Sequence, residues 1–164
     1  MKLSLKIAFC SLIASAYSTL SVLLAGSSYS WIQVRISEAL TPLSFLIGFP
    51  AVAGLTIGCV ITNLFSPVGL VDMVIGPLLT FCAAMLSWKL NFGKKIIACT
   101  YPVLVNAFGV SAYISSFYNV PYLMSVVTIA VGEFIAAVLV GYPLLVSIER
   151  AVGKFGKNEI EIPE

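Results

Sequence analysis

Long apolar runs dominate the chain, and only short polar or charged stretches separate them. Five such runs are visible, at about 7–25, 40–65, 68–90, 96–117 and 120–148. A helix crosses the hydrocarbon of a bilayer in roughly 20 residues, and most of these runs reach or exceed that length. The pattern predicts an all-α membrane protein.

The second run contains a helix break in the sequence IGFPAVAG, because Pro50 lacks the amide donor that a continuous helix needs there. Splitting the run gives six transmembrane helices, at about 6–26, 37–48, 50–65, 68–90, 95–116 and 120–149, with both termini cytoplasmic. Every basic residue except Arg35 then lies on the cytoplasmic side, as the positive-inside rule expects. Five spans would leave at least one basic cluster outside in either orientation.

Composition supports a single integral-membrane domain over residues 1–164. Hydrophobic residues make up 60% of the chain and charged residues 10%, whereas soluble domains have about 25% charged residues. Lys2 and Lys6 before an apolar run are also typical of a signal peptide. The run is long enough to span the membrane and has no clean cleavage site, so we expect a retained first helix.

Several classes of chemistry find no support in the sequence. The chain has no histidine and no GxxxxGK[ST] phosphate loop, and its four cysteines are scattered singly through apolar segments, where they are expected to be small buried hydrophobes. We also find no nucleophile–base pair and no metal-ligand cluster. An enzyme, a cofactor, a metal or a nucleic-acid partner is therefore not expected. A carrier, or the binding subunit of a larger machine, fits better.

Polar residues inside the apolar runs are the candidate binding groups, because ionisable side chains in a bilayer are costly. The six-helix topology places all of them in the outer half or near the midplane. Glu133, eleven residues after Tyr122, lies about 16 Å deep at 1.5 Å per residue. This distribution predicts a pocket open to the outside. Alternatively, Arg35 and Glu38 form an i, i+3 pair and Asp72 is a charge at a helix N-terminus.

Two further patterns each leave two interpretations open. Aromatic residues flank the outer loops, and they are either an interfacial belt or a stacking wall for a flat ring; these are Tyr29 and Trp31, and then Tyr113, Phe117, Tyr118 and Tyr122 in a predicted external loop between helices five and six. Small residues in helix one recur at spacings of 3, 4 and 3, for internal packing or for docking of a membrane partner; they are Ala8, Ser11, Ser15 and Ser18.

The segments YSWIQVRISEALTPL, GLTIGCVITNLFSPVGLVDMVIGPLLTF and GEFIAAVLVGYPLL resemble the QueT family of queuosine-precursor transporters, over about 6–150. The resemblance implies a substrate-binding S component of an energy-coupling factor (ECF) transporter. Such a component has six helices, lies in the cell membrane of a bacterium or archaeon, and works with a membrane coupling subunit and two cytoplasmic ATPases. Ser11 and Ser15 depart from the alanine-rich docking motif that is usual in the family.

The resemblance implies a 7-deazaguanine substrate: 7-aminomethyl-7-deazaguanine, its nitrile relative or queuine. A carboxylate can accept hydrogen bonds from the ring N–H and the exocyclic amine, and Glu133 is the first choice for this role and Asp72 the second. Asn63 or Asn106 would read the carbonyl, with Arg35 and Gln33 at the pocket mouth. The full candidate set is Glu133, Asp72, Asn63, Asn106, Glu38, Gln33, Arg35, Trp31 and Thr80.

Two other functions remain open from the residues alone. One is a solitary proton- or ion-coupled carrier in which Glu133 or Asp72 takes the proton. The other is a structural or assembly protein without a ligand.

Overall fold

The computed structural model describes residues 2–24 and 35–155, and all regular structure within them is helical. Two of the segments are not α-helical: a 3-10 segment early in the chain and a π segment late in it. In order, the elements are α1 (Leu3–Leu23), the 3-10 segment (Ile36–Leu43), α2 (Ser44–Ile47), α3 (Phe49–Asn63), α4 (Leu70–Lys89), α5 (Lys95–Tyr118), α6 (Tyr122–Glu133), the π segment (Phe134–Val140) and α7 (Gly141–Phe155).

Four helical stretches of the described residues are long and apolar enough to cross a membrane. They are Leu3–Leu23, Leu70–Lys89, Lys95–Tyr118 and Tyr122–Val152. The last combines α6, the π segment and α7. The apolar helices Ile36–Ile47 and Phe49–Asn63 are shorter. The predicted all-α, multi-pass architecture is confirmed, and the count of six spans with cytoplasmic termini stays a prediction.

The chain breaks at Gly48, between α2 and α3. Gly48 has φ 73°, a conformation that L side chains rarely adopt, and a Cβ there would lie 3.2 Å from the indole nitrogen of Trp88. Pro50 follows in the first turn of α3, where its missing N–H costs nothing. Backbone conformation and proline together end one short helix and start the next.

Helix α1 packs closely along α3 through two glycines. A Cβ on Gly54 would lie 2.6 Å from the carbonyl oxygen of Cys10, and a Cβ on Gly58 would lie 2.9 Å from that of Ala14. Small residues allow this approach, and van der Waals packing is what holds membrane helices together. The buried face of α1 consists of Ile13, Ala14, Tyr17 and Ser21.

The 3-10 segment lies inside the bundle, against α1, α5, the π segment and α7. Its contact with the start of α7 is tight, since a Cβ on Gly141 would lie 3.0 Å from the carbonyl oxygen of Ala39. The sequence analysis predicted an ordinary helix here. The 3-10 geometry suits a short buried segment that contains Pro42, and it brings Glu38 into the interior.

The placement of four aromatic residues in an external loop between helices five and six is wrong. Tyr113, Phe117 and Tyr118 belong to α5, and Tyr122 begins α6, so only residues 119–121 connect the two helices. Asn119 ends α5 in the left-handed conformation, with φ 53°, a position that asparagine tolerates well.

Candidate substrate-binding site

Three acids and one arginine are buried in the described part of the bundle. Relative exposures are 9% for Arg35, 0% for Glu38, and 3% for both Asp72 and Glu133. Charges at such depth need partners, and a buried charge without one is a candidate for ligand binding. The partners of each carboxylate therefore decide its role.

Asp72, in the first turn of α4, has both carboxylate oxygens engaged by the protein. Oδ1 accepts a hydrogen bond of 2.6 Å from the Tyr113 hydroxyl. Oδ2 accepts one of 2.5 Å from Ser66 and lies 3.5 Å from Nη2 of Arg35. This arrangement joins α4, α5, the α3–α4 connection and the start of the 3-10 segment.

Asn63, the last residue of α3, connects the arginine to the backbone of α4. Its Oδ1 accepts a hydrogen bond of 3.0 Å from Arg35, and its Nδ2 donates one of 2.7 Å to the carbonyl oxygen of Asp72. A Cβ on Gly76 would lie 2.3 Å from Nδ2 of Asn63, so this approach requires the glycine. Arg35 thus pairs with Asp72 and Asn63, and the proposed pair with Glu38 is not what the structure shows.

Glu38 accepts hydrogen bonds from two hydroxyl groups. Tyr17 on α1 donates to Oε1, and Thr41 donates to Oε2 over 2.7 Å. The sequence analysis missed both donors. Tyr17 could have been identified from the sequence, because tyrosine in membrane helices favours the interfaces and this one lies well inside the α1 span. No feature of the sequence distinguishes Thr41 as a donor.

Glu133 differs from the other two acids in its hydrogen-bond partners. It ends α6, at the point where the helix passes into the π segment. Oε1 accepts a hydrogen bond of 3.0 Å from Nδ2 of Asn106. Oε2 is buried, and no hydrogen-bond donor reaches it from the described residues. π segments within α-helices frequently mark functional positions, and Glu133 has an acceptor available at one.

Three residues of the predicted set remain: Thr80, Gln33 and Trp31. Thr80 is buried, and its hydroxyl donates a hydrogen bond of 3.4 Å to Sγ of Cys59. Gln33 and Trp31 lie outside the described residues, as does Tyr29.

Phe117 and Tyr118, at the end of α5, are exposed, and their rings pack edge to face with centroids 5.1 Å apart. Their exposure favours an interfacial belt over a wall of the buried site.

The small-residue stripe of α1 faces away from the bundle. Ala8, Ser11 and Ser15 are exposed and Ser18 is half-buried. The Ser15 hydroxyl donates to the carbonyl oxygen of Leu12 (3.0 Å) and the Ser18 hydroxyl to that of Ala14 (2.9 Å), so both hydroxyls are satisfied within the helix. Internal packing of α1 uses the opposite face. The exposed part of the stripe is therefore not used for packing within the described structure.

Comparison with known families gives one match. The model of the QueT transporter family matches residues 7–150, which is most of the chain. No curated protein and no solved structure matches the sequence significantly. The resemblance seen in the sequence is confirmed, and so is the broader prediction of a membrane transporter.

Proposed function

Because this chain belongs to the QueT transporter family, we propose that it is the substrate-binding S component of an ECF importer for a queuosine precursor. The substrate is a 7-deazaguanine: the aminomethyl form, the nitrile form or queuine. Six membrane segments with cytoplasmic termini hold the site open to the outside of the cell membrane. The observation that carries this proposal is the buried Oε2 of Glu133, which has no donor among the described residues.

A guanine-type ring supplies what this oxygen lacks. Its edge presents a ring N–H beside an exocyclic amine, and a carboxylate accepts strong charge-assisted hydrogen bonds from such donors. Asn106 holds the other oxygen at 3.0 Å and thereby orients the carboxylate. Asp72, the second choice from the sequence, has its oxygens engaged by Ser66, Tyr113 and Arg35. We assign it to the frame of the site.

The energy for transport comes from other subunits in this proposal. The sequence has no phosphate loop, so ATP hydrolysis belongs to two cytoplasmic ATPases that act through a membrane coupling subunit. The exposed stripe of Ala8, Ser11, Ser15 and Ser18 is the surface that we assign to the coupling subunit, since small residues let a second helix approach closely.

Substrate binding by the isolated chain tests the proposal. We expect 7-aminomethyl-7-deazaguanine to bind the protein purified in detergent, without nucleotide, as measured by isothermal titration calorimetry. Glu133→Gln removes the charge from the free acceptor and should weaken binding by about 1.5–3 kcal/mol, roughly 10- to 150-fold. The matched control is Glu149→Gln, because Glu149 is partly exposed and pairs with Lys95 at 2.9 Å; its affinity should equal that of wild type.

Two results would contradict the proposal in different ways. Absence of binding by any 7-deazaguanine would remove the substrate assignment. Uptake by this chain alone in vesicles, driven by a pH gradient and insensitive to ATP, would replace the S-component role with that of a solitary carrier. Uptake that requires ATP and the partner subunits supports the assignment.

A further inference from the structure

The turn between α4 and α5 presents an exposed aromatic ring at one end of the bundle. Phe92 is 76% exposed and has φ 50°, and Gly93 after it has φ 71°. Bulky side chains rarely adopt a positive φ, whereas glycine does so readily. The Phe92 ring is exposed despite this strain, so packing within the described part of the chain does not account for its position.

Hydrogen bonds fix the shape of this turn. The Asn91 side-chain amide donates to the carbonyl oxygens of Ser87 (3.1 Å) and Trp88 (2.6 Å) at the end of α4, where helix carbonyls lack partners. Its Oδ1 accepts a hydrogen bond of 2.9 Å from the backbone amide of Gly93. The backbone amide of Lys94 donates to the carbonyl oxygen of Asn91 over 2.9 Å. The turn is thereby held with its aromatic ring outside the bundle.

The turn lies where two membrane-spanning helices meet the bilayer surface. Leu70–Lys89 and Lys95–Tyr118 are both long and apolar enough to cross a membrane, and residues 90–94 connect them. A connection this short keeps the turn in the layer of lipid head groups, where aromatic side chains are favoured. Leu90 and Ile96 flank the turn and are 47% and 46% exposed. The turn therefore offers apolar surface at the depth where head groups meet acyl chains.

Positive charge surrounds this apolar surface. Lys89 and Lys94 are exposed on either side of the turn, and the Lys89 ammonium lies 3.8 Å from the centre of the Trp88 ring, in a cation–π contact. Neither of these two lysines forms a salt bridge in the described part of the chain, because Glu149 pairs with Lys95 instead, over 2.9 Å. Two positive charges without a carboxylate partner among the described residues therefore flank the exposed ring.

We propose that the α4–α5 turn binds an anionic phospholipid. The head-group phosphate accepts hydrogen bonds from the ammonium groups of Lys89 and Lys94, and the Phe92 ring packs on the upper part of the acyl chains. Such a lipid is negative where the turn is positive and apolar where the turn is apolar. The position of the turn between two spans favours a lipid over a protein partner. This inference requires a membrane but not the proposed substrate.

Quenching of Trp88 fluorescence by brominated lipids tests the proposal, since Trp88 is half-buried beside Lys89. A Trp31→Phe background leaves Trp88 as the only tryptophan of the full chain. In phosphatidylcholine vesicles, we expect brominated phosphatidylglycerol to quench at a share about fivefold lower than brominated phosphatidylcholine. Raising the salt concentration to about 0.5 M should reduce this preference, because salt screens exposed charges.

Two pairs of substitutions locate the source of the preference. Lys89→Gln combined with Lys94→Gln should abolish it, since both ammonium groups are lost. The matched control combines Lys2→Gln with Lys6→Gln, which lowers the net charge by the same amount. Those lysines are exposed at the start of α1, and the preference should persist without them. Quenching is normalised in each variant to its fluorescence without brominated lipid.

Phe92→Asn tests the role of the ring. Asparagine tolerates a positive φ better than phenylalanine does, so the thermal unfolding midpoint in detergent should stay unchanged or rise. The affinity for phosphatidylglycerol should fall about threefold, because the apolar contact is lost. A fall in the midpoint together with unchanged lipid affinity would show that the ring serves the fold, against the proposal.

The outcomes decide the inference without reference to the substrate. Equal quenching by the two lipids in the Trp31→Phe protein overturns it, and loss of co-purifying subunits in the Lys89→Gln, Lys94→Gln variant would then make the turn a protein contact. Equal loss of preference in both pairs of lysine variants also overturns it, because a general surface charge would then attract the lipid. Should the first pair fail to fold, the lipid comparison and its salt dependence in the Trp31→Phe protein still decide.

Discussion

Asp72 and Glu133 are equally buried, at 3% exposure, yet their surroundings differ in kind. Asp72 accepts hydrogen bonds from Ser66 and Tyr113 and pairs with Arg35. Glu133 accepts one hydrogen bond, from Asn106, and its second oxygen has no donor in the described part of the chain.

The difference teaches that burial alone does not identify a binding residue. A carboxylate whose acceptors are all used by the protein holds elements together, and Asp72 joins four parts of the chain in this way. A buried carboxylate with an unused acceptor is desolvated without full compensation, and a bound ligand could supply the missing donor. On this criterion we assign Asp72 to the frame of the proposed site and Glu133 to contact with the proposed ligand.

Asp72→Asn should give the largest loss of stability. The substitution leaves Arg35 buried without its charge partner, and breaking a buried ion pair from one side costs about 3 kcal/mol or more. We expect a marked fall in the thermal unfolding midpoint in detergent, followed by tryptophan fluorescence. The same chemical change in Glu133→Gln should leave the midpoint unchanged or raise it, since Asn106 can still donate to the new amide oxygen.

A fall in stability of similar size for both variants would show that the two carboxylates have equivalent structural roles, which contradicts the distinction between them. We expect folded Asp72→Asn protein to bind ligand with an affinity near that of wild type. Loss of ligand binding by the folded variant would also contradict the distinction.

A smaller effect is expected for Tyr113→Phe. The phenylalanine keeps the ring but removes the hydroxyl that donates to Oδ1 of Asp72 over 2.6 Å. Loss of a hydrogen bond to a charged acceptor should lower the free energy of unfolding by about 1.5 kcal/mol, with ligand affinity unchanged. The matched control, Tyr122→Phe, removes an exposed hydroxyl that donates to a backbone carbonyl over 3.2 Å, and it should change stability by less than about 0.5 kcal/mol. Equal effects in the two variants would show that the Asp72 contact adds nothing.

Local features of the sequence predict much of the fold. Apolar runs give the helices, and the break at Gly48 follows from a glycine beside a proline. The 3-10 and π geometries do not follow, since they depend on what each segment packs against. The tight contact of Gly141 with Ala39 joins residues more than a hundred positions apart, and no local pattern encodes it.

The sequence predicted which charged residues belong to the candidate site better than it predicted which of them pair with each other. Buried charges are rare enough in this chain that Arg35, Asp72 and Glu133 draw notice without a structure. Which acid pairs with the arginine depends on how α4 is rotated toward the start of the 3-10 segment. Sequence spacing left a pair with the nearby Glu38 as one alternative, whereas the structure pairs Arg35 with Asp72.

The smallest effect on the isolated chain is expected at the small-residue stripe of α1. Here the contrast is between the face of α1 that packs inside the bundle and the face that is exposed. Ser15→Leu adds bulk on the exposed side, opposite the face that packs on Gly54 and Gly58. Stability and ligand affinity should therefore stay within about 0.5 kcal/mol of wild type. Assembly with the proposed coupling subunit should fail, because a leucine keeps the partner helix from approaching closely. Co-purification of the tagged chain with its partner subunits measures this.

Cys82→Leu is the control that gives the assembly result its meaning, since Cys82 is also small and exposed but lies on α4. If both variants assemble normally, the stripe is an ordinary lipid-facing surface and the docking assignment is wrong. If neither variant assembles, a leucine at any exposed position disturbs assembly, and the result does not locate the docking surface on α1. Loss of assembly in Ser15→Leu alone, with ligand binding intact, would support docking at the exposed face of α1 and would show that substrate binding does not depend on that face.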